Sequence, residues 1–409
     1  MTATVGECLQ SSFQNLAGLY NSALQDPDQK VKTAALKSLG MLMAYLVDEE
    51  ESLTIFSGLI PLVLQTASGC RQLGDEDTLQ VINDVLYDLC HSSSRAVNAH
   101  LPATVQFCLS ELADVNLELV TRDSAALVIS TLTEVKPKFM AKKVDVPSLL
   151  DTFIHMIEVS SESAAGAFFD NNPAWREDTP DDSDDDDNYD GPTQCGIAQG
   201  CLDVLACNLP QKSIFQPAVE RCVVRMQSSS PPSRKAGVAS LGVVAEGCAE
   251  RLSQRLADVA PYVIACAGDA DEQVRECACF ALGQLAEHCQ PEILAFAPQI
   301  LEAVFRLLDD ASVSVQTTSC YVLEMFCEHL EPEQINRFLD PLTRKLVSML
   351  EVATRKCVRE MAVAALAATA VAAEKVREKR VPPTRPQNQN PQPPARARTP
   401  PTPPRRQPT

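Results

Sequence analysis

The chain has 409 residues, 54 acidic against 35 basic side chains and a formal charge of -19, so direct binding to a phosphate backbone is disfavoured. Aromatic residues make up 5% and glycines total 15, which leaves strand-and-turn architectures short of material. An all-α protein without nucleic-acid contacts is the expectation.

Hydrophobic periodicity predicts helices in consecutive pairs, an outer one followed by an inner one. The pairs run 8–24 with 28–47, 52–68 with 75–92, 101–114 with 117–134, and 147–160 with 193–208. They continue as 213–227 with 232–249, 252–267 with 271–289, 292–308 with 312–330, and 333–351 with 354–376. The inner helices carry a recurring phrase, clearest from Val274 to Leu282, Val315 to Leu323 and Val358 to Leu366, with a further copy from Val31 to Leu39. Weaker copies end at Leu86, Leu127, Leu202 and Leu241. The steps between successive final leucines are 47, 41, 75, 39, 41, 41 and 43 residues. A period near 41 marks a stacked two-helix solenoid of about eight repeats. Within a copy, Val274, Cys277, Ala278, Ala281, Leu282 and Leu285 fall on one helical face, and the small Ala278 and Ala281 allow a neighbouring helix close approach. Acidic residues in the turns, at Asp26, Asp28, Asp75, Asp269, Asp271, Asp309 and Asp310, are expected to cap helix N-termini.

Two segments depart from the array. Residues 161–192 split the fourth pair and hold nine carboxylates between Glu177 and Asp190, with no basic residue among them. Such a run repels itself and is expected to stay extended until a cation binds. Its candidate binding residues are Asp181, Asp182, Asp184, Asp185, Asp186 and Asp187. Trp175, the only tryptophan, is a candidate anchor for this loop or a partner contact, with local packing as the plain alternative. Residues 377–409 form a tail whose stretch from Val381 holds eleven prolines, five arginines and no acid; disorder is expected there. The division is therefore 1–160 repeats, 161–192 acidic loop, 193–376 repeats and 377–409 tail.

The sixteen cysteines fall mainly on core faces, as at Cys90, Cys201, Cys248, Cys277, Cys279, Cys289 and Cys327, and read as reduced buried thiols. No CxxC pair exists and the five histidines do not cluster with the thiols, so no metal is expected. No phosphate-cradling loop, nucleophile elbow or zinc-protease motif is present, and carboxylates on an open loop lack the fixed burial that acid–base work needs. Neither an enzyme nor a cofactor is expected. The N-terminus lacks the pattern of a signal peptide and no run is long enough to span a bilayer, so no membrane contact is expected. Such a solenoid offers long surfaces, and its acidity suits basic proteins, with binding that weakens in salt.

The phrase from Asp271 to Gly283 is similar to the inner-helix pattern of HEAT repeats. The run from Asp184 to Tyr189 followed by Cys195 to Ala206, and then Ser233 to Gly242, resembles the importin-β superfamily of nuclear transport receptors over about 90% of the chain. The resemblance implies a receptor that binds basic cargo such as histones and ribosomal proteins, releases it to the GTPase Ran in its GTP form, touches phenylalanine–glycine nucleoporins through outer-helix grooves, and shuttles between cytoplasm and nucleus as a monomer. It also implies that the acidic-loop residues above touch Ran or cargo. Receptors of that family are about twice as long, so a truncated or alternatively spliced form is expected. The alternatives are a HEAT scaffold, or a histone-sequestering protein, without Ran regulation.

Overall fold

The structure is a computed structural model that describes residues 12–46, 50–91, 95–169, 193–327 and 329–380. Among these residues the chain is a right-through succession of helix pairs without a strand. The first pair is α1 (Phe13–Leu24) with α2 (Gln29–Leu46). Next, α3 (Glu50–Ser57) and α4 (Ile60–Leu73) back α5 (Glu76–His91), and α6 (Arg95–Asn98) and α7 (Leu101–Leu112) back α8 (Leu119–Val135). In the fourth repeat α9 (Pro137–Lys143), α10 (Val146–Val159) and the short α11 (Ala164–Phe169) precede the inner helix α12 (Gln194–Asn208). There follow α13 (Gln211–Met226) with α14 (Pro231–Val243), and α15 (Ala249–Gln254) and α16 (Leu256–Cys266) with α17 (Glu272–His288). A 3-10 turn (Glu292–Phe296) and α18 (Ala297–Leu307) accompany α19 (Val313–Cys327), and α20 (Pro332–Ile335) and α21 (Leu339–Val352) accompany α22 (Lys356–Arg380). The solenoid of helix pairs is thus as expected.

Four of the eight expected outer helices, 52–68, 252–267, 292–308 and 333–351, are broken into two pieces, while 101–114 and 147–160 are each one helix with a short extra piece before it. Prolines explain several breaks. Pro61, Pro102, Pro147 and Pro298 stand in the first turn of the second piece, where a missing N–H costs nothing because that donor has no helical partner. The final inner helix runs to Arg380, past the expected boundary at 376, and residues 381–409 of the tail lie outside the described residues.

Inner helices stack in order, α2 on α5, α5 on α8, α8 on α12, then α14 on α17, α17 on α19 and α19 on α22. Their phrase residues make the core. Val274, Cys277, Ala278, Ala281, Leu282 and Leu285 are fully buried. Of the eight final leucines, Leu127 departs from the pattern: it is 53% exposed, while Val128 and Ile129 turn inward. Close stacking depends on small residues. A Cβ on Gly283 would stand 2.1 Å from the Tyr321 ring, and one on Gly247 would stand 2.2 Å from the Ala206 main chain. At the first repeat, Phe13 is 2% exposed, its ring edge-on to Phe56 at 5.7 Å between centroids. Leu16 is half-buried and Leu19 is 66% exposed.

Most of the turn carboxylates accept from nearby N–H groups as expected, while Asp309 instead accepts from Lys345 Nζ. Asp271 accepts from the Gln273 and Val274 N–H groups, Asp28 from Lys30 N–H, Asp75 from Thr78 N–H and Asp310 from Ser312 N–H. Some carry a second load that the sequence reading missed. Arg234 donates through two nitrogens to Asp269 at 2.7 and 2.8 Å, and Arg275 does the same to Asp310. Each arginine also caps the turn before its own helix, Arg234 through the Ser228 and Ser229 carbonyls and Arg275 through those of Asp269 and Ala270. One guanidinium therefore joins two successive turns. The fork geometry suits a planar bidentate donor and not a lysine.

The cysteines of the described residues are free, and those expected in the core are buried. Burial pushes Cys90, Cys201, Cys248, Cys279 and Cys327 up to about 12, so they are protonated, inert fillers.

Candidate functional site on the inner helices

The acidic loop's Asp181, Asp182, Asp184, Asp185, Asp186 and Asp187, and Trp175, lie outside the described residues. What the structure places is the root of that segment. After α10 the chain turns across the inner helices, and α11 packs on α12, α14 and α17. The root thus lies on the inner-helix side of the solenoid.

Polar contacts hold it there. Lys235 on α14 is 2% exposed and donates from Nζ to the Ser160 carbonyl at 2.6 Å. Ser163 Oγ donates to Glu276 Oε1 on α17 at 2.9 Å. Glu162 accepts from the Cys195 N–H on α12 at 3.1 Å, and Gln199 donates to the Ala164 carbonyl. Burial raises the Glu276 carboxyl above its ordinary value, while the Ser163 hydroxyl and the Lys235 charge draw it back. A charge removed from water holds its place only when paired and hydrogen-bonded, so the Lys235 and Glu276 positions define where the root can sit. Neither residue was singled out from sequence. The available signal was a second charge, at Lys235 and Glu276, directly after the arginine of each phrase and before its apolar and small positions.

Beyond the root, the inner helices present carboxylates in neighbouring pairs. Asp203 of α12 and Glu246, just after α14, both act on the Cys207 thiol. Glu287 of α17 and Glu324 of α19 both act on the Tyr321 hydroxyl. Glu246 and Glu287 are exposed, and among the described residues no lysine or arginine forms an ion pair with Asp203 or Glu246. Asp84 and Asp123 add exposed carboxylates on α5 and α8, each raised by partial burial. The arrangement attracts cations and repels phosphates.

On the outer side, α7, α10 and α13 enclose an open groove of about 690 Å³. Val115 and Val159 along it are 72% and 52% exposed, Met156 lines it, and Arg221 and Arg225 close one wall through ion pairs to Asp151 at 3.1 and 3.2 Å. Among the described residues no helix is long and apolar enough to cross a membrane.

Comparison with known proteins follows the same lines. Residues 1–107 match the family described as IPO5-like, TPR repeats, and residues 231–285 match the HEAT-like repeat. Importin-4 of Mus musculus is 26% identical over 283 residues, which is 67% of this chain and 25% of that protein. The probable importin subunit beta-4 of Schizosaccharomyces pombe is 24% identical over 227 residues, covering 55% of this chain and 19% of that protein. The chain therefore spans about a quarter of the length of the curated relatives it matches. Among solved structures, Kap121p superposes with a TM-score of 0.77 at 21% identity, covering 92% of this chain and 36% of that one. Kap121p bound to RanGTP gives 0.73 at 21% identity, over 87% of this chain and 34% of that one. The chain is similar to importin-4 in sequence and to Kap121p in fold.

Proposed function

We propose that the chain is a cargo-binding segment of a nuclear import receptor, with its inner-helix carboxylates and the acidic loop rooted beside them gripping basic proteins. The observation that carries this reading is the rooting of the insertion by Lys235 and Glu276 on the same side as the Asp203 and Glu246 carboxylates. A mobile cationic segment laid along the inner helices meets unpaired acid on the helices and acid from the insertion at once, and summed Coulomb attraction raises its encounter rate. Histones and ribosomal proteins have the required charge. Kap121p is solved bound to Pho4p, to RanGTP and to Nup53p, which supports Ran in its GTP form and a nucleoporin as partners here too. Asp181, Asp182 and Asp184 to Asp187 are the proposed contacts to Ran or cargo, and the α7, α10 and α13 groove is the proposed seat for apolar nucleoporin side chains. Shuttling between cytoplasm and nucleus follows from those partners.

The test is a pull-down of the chain with Ran loaded with GTP or GDP, in parallel with a core histone and a ribosomal protein. The reading expects salt-sensitive capture of the basic proteins and a preference for the GTP form. Absence of both would favour a scaffold role without Ran.

A further inference from the structure

We propose that the face of α22 turned away from α19 is a self-association surface, on which two copies of this chain pair through antiparallel α22 helices. It is the face on which the stack of inner helices would continue. Val363 holds the sixth position of its phrase, the place of Cys279 on α17 and Cys320 on α19. Ala370 corresponds in the same way to Ala286 and Cys327. All four counterparts are 0% exposed. They look toward the next inner helix: Cys279 Sγ lies 3.5 Å from Ser319 Oγ on α19, and Cys327 Sγ lies 3.9 Å from Thr369 Oγ1 on α22. On α22 the same positions are uncovered among the described residues. Val363 is 54% and Val371 47% exposed, and Ala367 and Ala370 are exposed between them. At this spacing the four side chains form one apolar strip along the helix.

The residues that follow α22 do not encode a further layer. From 381 to 409 the apolar side chains other than proline are Val381, Ala395 and Ala397, too few for the core stripe of an inner helix. A second copy supplies the cover, because the strip complements itself. When a two-fold axis passes Ala367, Val363 of one copy faces Val371 of the other, since each stands four residues from the axis. One patch then serves both partners, as an isologous contact requires. The small Ala367 and Ala370 let the two backbones approach closely.

Charge fixes the direction of the pair. Exposed Arg359 and Glu360 lie at the start of the strip, and exposed Glu374 and Lys375 lie at its end. The antiparallel register that joins Val363 to Val371 brings Arg359 beside the partner's Glu374 and Glu360 beside the partner's Lys375. A parallel pair would instead set Arg359 against Arg359 and Glu360 against Glu360, and like charges brought together oppose binding. One helix pair is a small contact by the standard of permanent dimers, so association is reversible. The inference rests on packing and charge and is independent of the transport reading.

The test is sedimentation equilibrium of the full chain from about 1 to 100 μM. Expected is a mass that climbs from that of one chain toward that of two and stops there, because an isologous contact closes. Val363→Asp changes an exposed side chain and should hold the mass at one chain across the range, with an unchanged far-ultraviolet dichroism spectrum. Arg359→Glu should weaken association about tenfold or more, and adding Glu374→Arg to it should restore the parent's behaviour. A parent that stays single at the top of the range, growth past two copies, a dimer indifferent to Val363→Asp, or a double reversal that fails to restore pairing would each overturn the proposal.

Discussion

Lys235 Nζ reaches the Ser160 carbonyl at 2.6 Å across 75 residues of sequence, and this contact fixes the insertion root to the inner helices. Lys235→Met keeps the stem but removes the donor, leaving a buried carbonyl unpaired and the Glu276 charge without its cation. A loss of about 2 kcal/mol is expected. The distinguishing readout is local: amide exchange over residues 161–166 should accelerate more than exchange in α19. Uniform acceleration would mean that Lys235 supports only global stability.

The Arg275 and Asp310 pair predicts both a mutational and an acid response. Arg275→Ala should cost about 2 kcal/mol in chemical denaturation, because it strips a bidentate partner and two turn carbonyls together. A double-mutant cycle with Asp310→Ala should return a coupling of about 1 kcal/mol or more. Burial alone would raise the Asp310 carboxyl, but the Arg275 fork and the Ser312 N–H hold it below its ordinary value, and Asp269 is held likewise by Arg234. Folded values below unfolded ones mean stabilisation that is complete above the unfolded carboxylate range, about pH 4. It is lost as pH falls through the lower folded values. Melting temperature should drop steeply below about pH 4, and less so in Arg275→Ala.

The repeat beat was legible because it is written in volume. Val274, Ala278, Ala281 and Leu282 recur at helical spacing, and packing leaves no other place for them. The turn aspartates were legible as caps because capping is local. Their pairing with Arg234 and Arg275 was hidden, since it joins residues 35 apart and turns on a superhelical rotation that periodicity does not encode. Leu127 was misjudged for a related reason: α8 has apolar residues at 125, 126, 128 and 129 as well, and stacking chose those. The insertion's acidity was plain in the text of the chain. Its seat against Lys235 and Glu276 required the fold.

Glu111 on α7 is fully buried and accepts from Asn83 Nδ2 at 3.0 Å. Burial lifts its carboxyl to about 7, against the pull of Asn83 and Arg71. The folded state therefore binds the proton more tightly than the unfolded chain. Its contribution to stability is full below about pH 4 and is lost as pH rises toward about 7, where the loss reaches roughly 3 kcal/mol by linkage. Glu111→Gln mimics the protonated form and can pair twice with Asn83. The variant should be more stable than the parent at pH 8 and equal to it at pH 4.5, as read by urea denaturation. Destabilisation at both values would show that Glu111 is needed as a charge.

Gly283→Ala tests the close approach of α17 and α19. Its Cβ would overlap the Tyr321 ring, whose hydroxyl is held by Gln284 Nε2 at 2.7 Å. The ring cannot retreat without breaking that bond, so a cost of about 1 to 3 kcal/mol is expected. Tyr321→Ala combined with Gly283→Ala should be less damaging than the sum of the two.

The central claim is that acid along the inner helices and in the rooted insertion captures basic proteins. Binding of a fluorescent histone-tail peptide across a salt series, for the parent and for a variant with Asp184, Asp185, Asp186 and Asp187 replaced by serine, tests it most directly. The account predicts affinity that falls steadily with salt in the parent, and a weaker, flatter response in the variant. Equal affinity and equal salt dependence in the two proteins would contradict it.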